Sequence, residues 1–76
     1  MKRLEIGQHA NRQMWDREIT LTEAEWVLNH PELKWGGRNG ATVMIATMGS
    51  RRIKIVVRPI SDDVYKLITA AVPDDM

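Results

Sequence analysis

The chain has 76 residues, 43% of them hydrophobic, and its 11 Lys and Arg against 10 Asp and Glu give a formal charge of +1. This length allows one small core and excludes a second, so we expect residues 1–76 to form a single domain. The absence of cysteine excludes disulfide frameworks, thiolate metal sites and cysteine nucleophiles. No apolar run approaches the roughly 20 residues of a spanning helix, and no signal-peptide pattern is present, so we expect a cytoplasmic protein without a membrane partner.

The chain begins with a pattern typical of a strand followed by a helix. Leu4 and Ile6 alternate with polar neighbours, which favours a short strand with one apolar face. Residues 8–18 favour a helix whose narrow apolar side contains Ala10 and Met14.

A second helix has a well-marked start. Thr20 and Glu23 have the spacing of a capping box, and Thr22 and Glu25 repeat that spacing, so two start positions are open. Pro31 ends the helix, because the residue before a proline is disfavoured in helical conformation. An arc of about 120°, typical of a core-facing stripe, holds four apolar residues: Leu21, Ala24, Val27 and Leu28.

Beyond the second helix the hydrophobic pattern has period two and predicts three strands. Gly49-Ser50 and Ser61-Asp62-Asp63 are turn sequences of hairpin length, and Pro59 fits the end of a strand. We therefore expect an α+β domain of order β-α-α-β-β-β, with both helices packed on one face of an antiparallel sheet.

The small net charge conceals a basic segment without acids. Asp and Glu are confined to residues 5–32 and 62–75, and between these ranges lie Lys34, Arg38, Arg51, Arg52, Lys54 and Arg58. In an extended strand Arg52, Lys54 and Arg58 project from one face, while the apolar residues between them project from the other. Cations at every second residue lie about 6.6 Å apart, which roughly matches successive phosphates of a nucleic-acid strand. The alternative is a solvated strand face whose charges discourage aggregation.

Two tryptophans allow two interpretations each. Trp35 precedes the glycine-rich residues 36–40, so it either pins this loop to the body or lies open and stacks on a base. The glycine spacing matches neither a P-loop nor a dinucleotide fingerprint, so no nucleotide cofactor is expected. Trp26 lies opposite the apolar stripe of the second helix; either Met14 or Trp15 covers it, or it anchors a partner or dimer interface.

His9 is the candidate for acid–base chemistry. It starts the first helix, and Gln13 and Arg17 follow on the same helical ridge. Histidine titrates near neutrality and arginine presents forked donors to phosphate, a combination suited to phosphoryl chemistry. The alternative is that His9 anchors the helix start by hydrogen bonding. His9 and His30 are distant in sequence, without cysteines or paired carboxylates, so no metal site is expected.

Residues 9–32 resemble a family of short bacterial and phage domains of unknown function. These domains typically contain His-Ala-x-x-Arg-Met-x-x-Arg-Gly-Ile-Ser, then Val-Leu-x-x-Pro, before a three-stranded meander. The matching residues are His9-Ala10, Met14, Arg17, Ile19-Thr20, Val27-Leu28 and Pro31-Glu32. The family is similar to the toxin BrnT and, more distantly, to RelE-like ribonuclease toxins. The resemblance implies a RelE-like, metal-independent endoribonuclease fold that binds RNA on its open sheet face. Gln13 stands where the family has arginine, and Glu18 where it has glycine.

We therefore predict a toxin-like RNA-binding domain of a toxin–antitoxin or phage system. If the domain is an endoribonuclease, we expect His9 to act as acid or base and Arg17 to polarise the phosphate. The predicted RNA-binding residues are Trp35, Arg51, Arg52, Lys54 and Arg58. The alternative is a small phage or mobile-element inhibitor or regulator without catalytic activity, with Trp26 at its partner interface. An antitoxin, another protein or a second copy of the chain are the expected protein partners, and no cofactor is expected.

Overall fold

Residues 1–73, the part of the chain that this computed structural model describes, form two helices and a five-stranded sheet. The elements are β1 (Arg3–Ile6), α1 (Gln8–Asp16), α2 (Leu21–Asn29), β2 (Leu33–Gly36), β3 (Thr42–Met48), β4 (Arg51–Pro59) and β5 (Val64–Ala71), with a 3-10 turn at Arg38–Gly40. This arrangement confirms the expected α+β class and the order of helices and strands. No helix of residues 1–73 has the length and apolar character needed to cross a membrane.

The sheet is mixed, whereas an antiparallel sheet was expected. Its strand order is β1-β5-β4-β3-β2, and β1 pairs with β5 in parallel while the other neighbours are antiparallel. A tight hairpin joins only antiparallel neighbours, but β1 is connected to the other strands through two helices and can pair with the last strand in parallel.

The sheet also has one strand more than the three expected after the helices. Leu33–Gly36 pairs with β3, and Trp35 lies opposite Val43 in this ladder, so it belongs to the sheet as well as preceding the glycine-rich loop. The strand has only four residues, too few to show a clear period of two. Its pairing with β3, a tertiary contact, defines it as a strand.

The predicted turns are confirmed. Gly49 lies between β3 and β4 with φ of +63°, a left-handed conformation that glycine adopts without steric cost. Residues 60–63, which include the predicted turn at 61–63, connect β4 and β5, and the Ile60 N–H donates to the Val64 carbonyl at 2.9 Å. Pro59 is the last residue of β4, where its missing N–H leaves the ladder intact.

The core lies between the helices and one face of the sheet. Ile53, Ile55 and Val57 of β4 are 0% exposed and pack against buried residues of both helices. Along β4 these residues alternate with less buried ones, so strand geometry assigns every second side chain to the core. Helix α2 begins at Thr20, the first of the two predicted capping boxes, with reciprocal bonds between Thr20 and Glu23.

Helix α1 ends at Asp16, two residues before the expected end. The Ile19 N–H donates to the Met14 carbonyl at 2.8 Å, and the Glu18 N–H donates to the Trp15 carbonyl at 3.2 Å. These two bonds form a Schellman motif, in which Glu18 adopts φ of +55°. Glycine is the preferred residue at this position, because a Cβ in the left-handed region is strained.

We expect Glu18→Gly to raise the free energy of unfolding by about 1 kcal/mol, because glycine relieves the left-handed strain. The matched control is Glu18→Ala, which removes the carboxylate and keeps the Cβ. Urea unfolding at neutral pH measures both variants. A stability of Glu18→Gly at or below that of Glu18→Ala would contradict the assignment of strain to this residue.

Candidate nucleic-acid interface

The open face is the face of the sheet that points away from the helices. On β4 the side chains of Arg52, Lys54, Val56 and Arg58 project to it, because they alternate with the core residues of the same strand. Arg58 is exposed, and Arg52 and Lys54 are half-buried. The three cations that the sequence places on one face thus share the surface that the helices do not cover.

A fourth cation joins these three through strand pairing. Lys66 of β5 lies directly opposite Arg58, and both side chains are exposed. Like charges directly opposite each other in an antiparallel pair repel, with Cβ atoms about 5 Å apart. Glu5 of β1 lies beside Lys66 in the parallel ladder and offsets part of this repulsion.

An apolar strip crosses the open face, and cations of β4 lie on both sides of it. Trp35, Val43, Val56 and Thr69 lie in one row across β2, β3, β4 and β5. Lys54 lies two residues before Val56 along β4 and Arg58 two residues after it, so cations flank the strip on both sides. The open face is therefore neither purely basic nor filled by apolar side chains.

Trp35 is half packed and half open. It is 46% exposed, while its neighbour Val43 is 8% exposed although it faces away from the helices. Gly37 also approaches this region, since a Cβ built there would lie 3.4 Å from Cγ2 of Val43. The two interpretations of Trp35 therefore combine: its surroundings hold the loop to the sheet, and about half of its surface stays available for stacking. Two strand spacings, about 10 Å, separate β2 from β4.

Arg51 lies on the helix side and belongs to a different site from the other predicted RNA-binding residues. Its Nη2 donates to the Glu18 carbonyl at 2.6 Å, and its Nη1 donates to the Arg17 carbonyl at 3.1 Å. Nη2 also lies 2.9 Å from Oε1 of Glu23. The guanidinium thus ties the end of α1 and the start of α2 to the beginning of β4, which corrects its assignment to the RNA surface.

The carboxylate of Glu23 is the second half of this tie. The Thr20 backbone N–H binds Oε1 at 2.9 Å and is the main cause that holds the pKa of Glu23 below its ordinary value of 4.5. Desolvation acts in the opposite direction, and the Arg51 guanidinium adds to the lowering. Glu23 therefore both caps α2 and pairs with Arg51.

The structure does not assemble the predicted pair of His9 and Arg17. Eight residues separate them, about 12 Å along a helix axis, and Arg17 lies beyond the last residue of α1. Nε2 of Gln13 lies 3.2 Å from Nε2 of His9, and Oε1 of Gln13 accepts from the Ala70 N–H at 3.3 Å. Because Gln13 uses its oxygen on Ala70, its amide nitrogen donates to His9, and Nε2 of His9 is the acceptor.

His9 and the cations of the open face lie on opposite sides of the sheet. Ala10 and Met14 of α1 pack in the core against the side chains that β4 directs toward the helices. The backbone of the sheet therefore separates His9 from Arg52, Lys54 and Arg58. One phosphate cannot contact both groups, so the sequence-predicted catalytic and binding residues form no common site in this chain.

Trp26 is not covered by the first helix. Met14 is buried in the core, Trp15 is 83% exposed, and Trp26 is 47% exposed. The indole of Trp26 instead stacks on the His30 ring, with centroids 3.9 Å apart and planes inclined by 20°. The role of Trp26 at a partner interface, with an antitoxin or another protein, stays a prediction.

Lys66 belongs to the basic surface but is not among the residues predicted from the sequence. The loop of residues 61–63 fixes the hairpin register and places Lys66 opposite Arg58. Counting outward from the predicted turn would therefore have found it. Within residues 1–73, no three His, Asp or Glu side chains are grouped so that they could hold a metal ion.

No family model, curated protein or solved structure matches this chain.

We expect acid to weaken the tie between Glu23 and Arg51. Because the folded-state pKa of Glu23 lies below 4.5, its contribution is complete above pH 4.5 and is lost as the pH falls through the folded-state value. Glu23→Gln keeps an acceptor for the cap and removes the charge, so it should cost about 1 kcal/mol at pH 7.

The same variant should also show a smaller loss of unfolding free energy between about pH 5 and about pH 3 than the parent chain. Chemical unfolding at several pH values measures this difference. The control is Glu18→Gln, because within residues 1–73 Glu18 bonds Arg51 through its backbone carbonyl and not through its carboxylate. An identical pH dependence for Glu23→Gln and the parent would contradict the role of the carboxylate.

Proposed function

We propose that this protein binds single-stranded RNA in the cytoplasm through the open face of its sheet. The observation that carries the proposal is an apolar strip, beginning at the half-exposed Trp35, with cations of β4 on both sides of it. Unpaired bases expose apolar ring faces that stack on indole, while their phosphates attract cations. Both requirements are met on one surface.

The dimensions of the open face suit a few nucleotides. Arg52 and Arg58 are six residues apart on β4, about 20 Å in an extended strand. Trp35 lies about 10 Å to the side of this line, so a base stacked on the indole leaves its phosphate within reach of Lys54 or Arg58. A duplex hides the ring faces of its bases, which is why the proposal specifies a single strand.

The proposal assigns binding and no cleavage to this face. A general base acts only within hydrogen-bond reach of the hydroxyl that it deprotonates, and His9 lies on the other side of the sheet from the cations. Purified protein incubated with total RNA should therefore leave the RNA intact. Shortened RNA that disappears in a His9→Ala variant would instead show that α1 carries a separate catalytic site.

Removal of one open-face cation should weaken binding and lower its salt dependence. For a single strand, each neutralised phosphate contributes about 0.7 to the slope of log affinity against log salt. We expect Lys66→Ala to lower this slope by about that amount. The matched control is Lys34→Ala, because Lys34 is also exposed but pairs with Met44 and points to the helix side. Fluorescence anisotropy of a labelled single-stranded RNA at several salt concentrations measures both, and equal effects of the two substitutions would count against the open face.

Loss of the indole of Trp35 should weaken binding without changing the salt dependence. Stacking of one base on an aromatic side chain contributes about 1–3 kcal/mol, so Trp35→Ala should lower the affinity roughly 5-fold to 150-fold. Trp15→Ala is the control, because Trp15 is exposed on α1, in the helix layer. The same titration measures both variants. Unchanged affinity of Trp35→Ala would remove the stacking role.

A further inference from the structure

The two edges of the sheet are treated differently by the rest of the chain. At the β1 edge, Asn29 Oδ1 accepts from the Lys2 N–H, and Asn29 Nδ2 donates to the Lys2 carbonyl, each at 3.0 Å. Oε2 of Glu25 accepts from the Leu4 N–H at 2.9 Å. These side chains of α2 bond the backbone groups of Lys2 and Leu4 to which an added strand would have to hydrogen-bond, so they block this edge.

The β2 edge has no such cover. The Gly37 N–H donates to the Ala41 carbonyl at 2.8 Å, and in this ladder Trp35 is opposite Val43. Antiparallel bonding alternates, so the backbone of Trp35 points to β3 while the N–H and C=O groups of Lys34 and Gly36 point outward.

The outward groups of β2 are open to a partner. Within residues 1–73, no side chain bonds the backbone groups of Lys34 or Gly36, and every residue of β2 is exposed. The strand is short and carries Lys34, which limit edge pairing, but it contains neither a proline nor a bulge, two other features by which edge strands avoid it.

We infer that a second copy of this chain adds its β2 to this edge, antiparallel and related by a two-fold axis at Trp35. In this register Lys34 lies opposite Gly36 of the second copy, and their outward backbone groups exchange hydrogen bonds. The two Trp35 residues form the pair between these bonds, where side chains are closest, and both indoles lie on the open face. Each Lys34 faces a glycine, so the two lysines do not lie opposite each other.

Charge and the bounds of β2 select this register over the two neighbouring symmetric ones. A two-fold axis at Lys34 sets the two lysines directly opposite each other. Like charges directly opposite each other destabilise a strand pair, so this register is disfavoured. An axis at Gly36 sets Trp35 and Lys34 opposite residues that follow β2, and Arg38 among them lies in the 3-10 turn, so only Gly36 is left to pair with a strand residue. The axis at Trp35 avoids both problems. The strand can thus pair with its own sequence without opposing lysines, which is why the inferred occupant is a second copy.

The pairing also covers apolar surface that one chain leaves open. Leu33 and Trp35 are each 46% exposed on the open face, and the added strand lies directly beside them. Such a short edge gives an interface below the standard size, so association should depend on concentration, with dissociation constants of roughly 10 μM to 1 mM. The inference does not depend on RNA binding.

The first experiment is sedimentation equilibrium of the full chain over roughly that concentration range. The parent should rise toward twice the 8.7 kDa mass of one chain. Gly36→Pro removes the outward N–H and should remain monomeric, while the control Gly36→Ala keeps the N–H and should dimerise. A Cβ at Gly36 meets no atom within 4 Å in the single chain. A parent that stays monomeric throughout, or a Gly36→Pro variant that dimerises like the parent, overturns the inference.

A cross-linking experiment tests the register and serves if Gly36→Pro fails to fold. The chain has no cysteine, so a single introduced thiol reports only contacts with a second copy. In the inferred register the Cα atoms at position 35 lie about 4.5 Å apart, whereas those at position 36 lie about 8 to 9 Å apart. Disulfides need Cα atoms closer than about 7 Å.

Under mild oxidation Trp35→Cys should therefore form a covalent dimer several times faster than Gly36→Cys. Equal rates, or no covalent dimer from Trp35→Cys, overturn the two-fold axis at Trp35. RNA binding by the monomeric Gly36→Pro variant separates the two proposals, because its open face is complete within one chain. A monomeric parent that binds RNA contradicts only the dimer, and a dimer that binds no RNA contradicts only the proposed function.

Discussion

The strict alternation of β4, a strand in the middle of the sheet, is the constraint on which the rest of this structure depends. Ile53, Ile55 and Val57 are fully buried, and each such side chain contributes about 1.5–3 kcal/mol by leaving water. A shift of the strand by one residue would exchange them with Arg52, Lys54 and other outward residues and bury unpaired charges, at a cost of several kcal/mol for each ion. The folding of the core thus fixes where the cations of the open face lie.

The same alternation explains which parts of the site could be predicted from sequence. Arg52, Lys54 and Arg58 were placed correctly on one face because their spacing is even, and the capping box at Thr20 was one of the two that the sequence allowed. Arg51 has the same parity as the core residues, so the period of two already places it on the helix side. Its partners, the carbonyls at the end of α1, could not be inferred, because they come from a tertiary contact between distant segments.

Strand pairing was the other part that local patterns could not supply. The parallel partner of β1 depends on how two helices return the chain to the sheet, and β2 is too short to show its period. Both the extra strand and the mixed sheet follow from long-range contacts, which override weak local preference. The position of Trp35 on the open face depends on β2, so the aromatic part of the site could not be predicted without it.

The two departures from the resembled family motif act on local structure. Gln13 accepts from the Ala70 N–H and donates to His9, and an arginine at this position has no acceptor to offer Ala70. Glu18 is the left-handed residue of a Schellman motif. Glycine is favoured in this conformation, so a turn of this kind would explain the glycine at the same position of the resembled motif. In this chain Gln13, next to His9 on α1, therefore fastens α1 to β5. The exposed cations lie on the other face of the sheet.

The open face and the β2 edge share Trp35, so the two proposals are linked through this residue, although each can be tested without the other. A two-fold axis at Trp35 would join two open faces into one surface and set the two indoles at its centre. The axis also reverses the direction of one β4 relative to the other, so a single RNA strand could not follow both basic tracks with the same polarity. Each protomer would bind its own segment, and a long RNA would gain affinity over a short one through the higher effective concentration of its second segment.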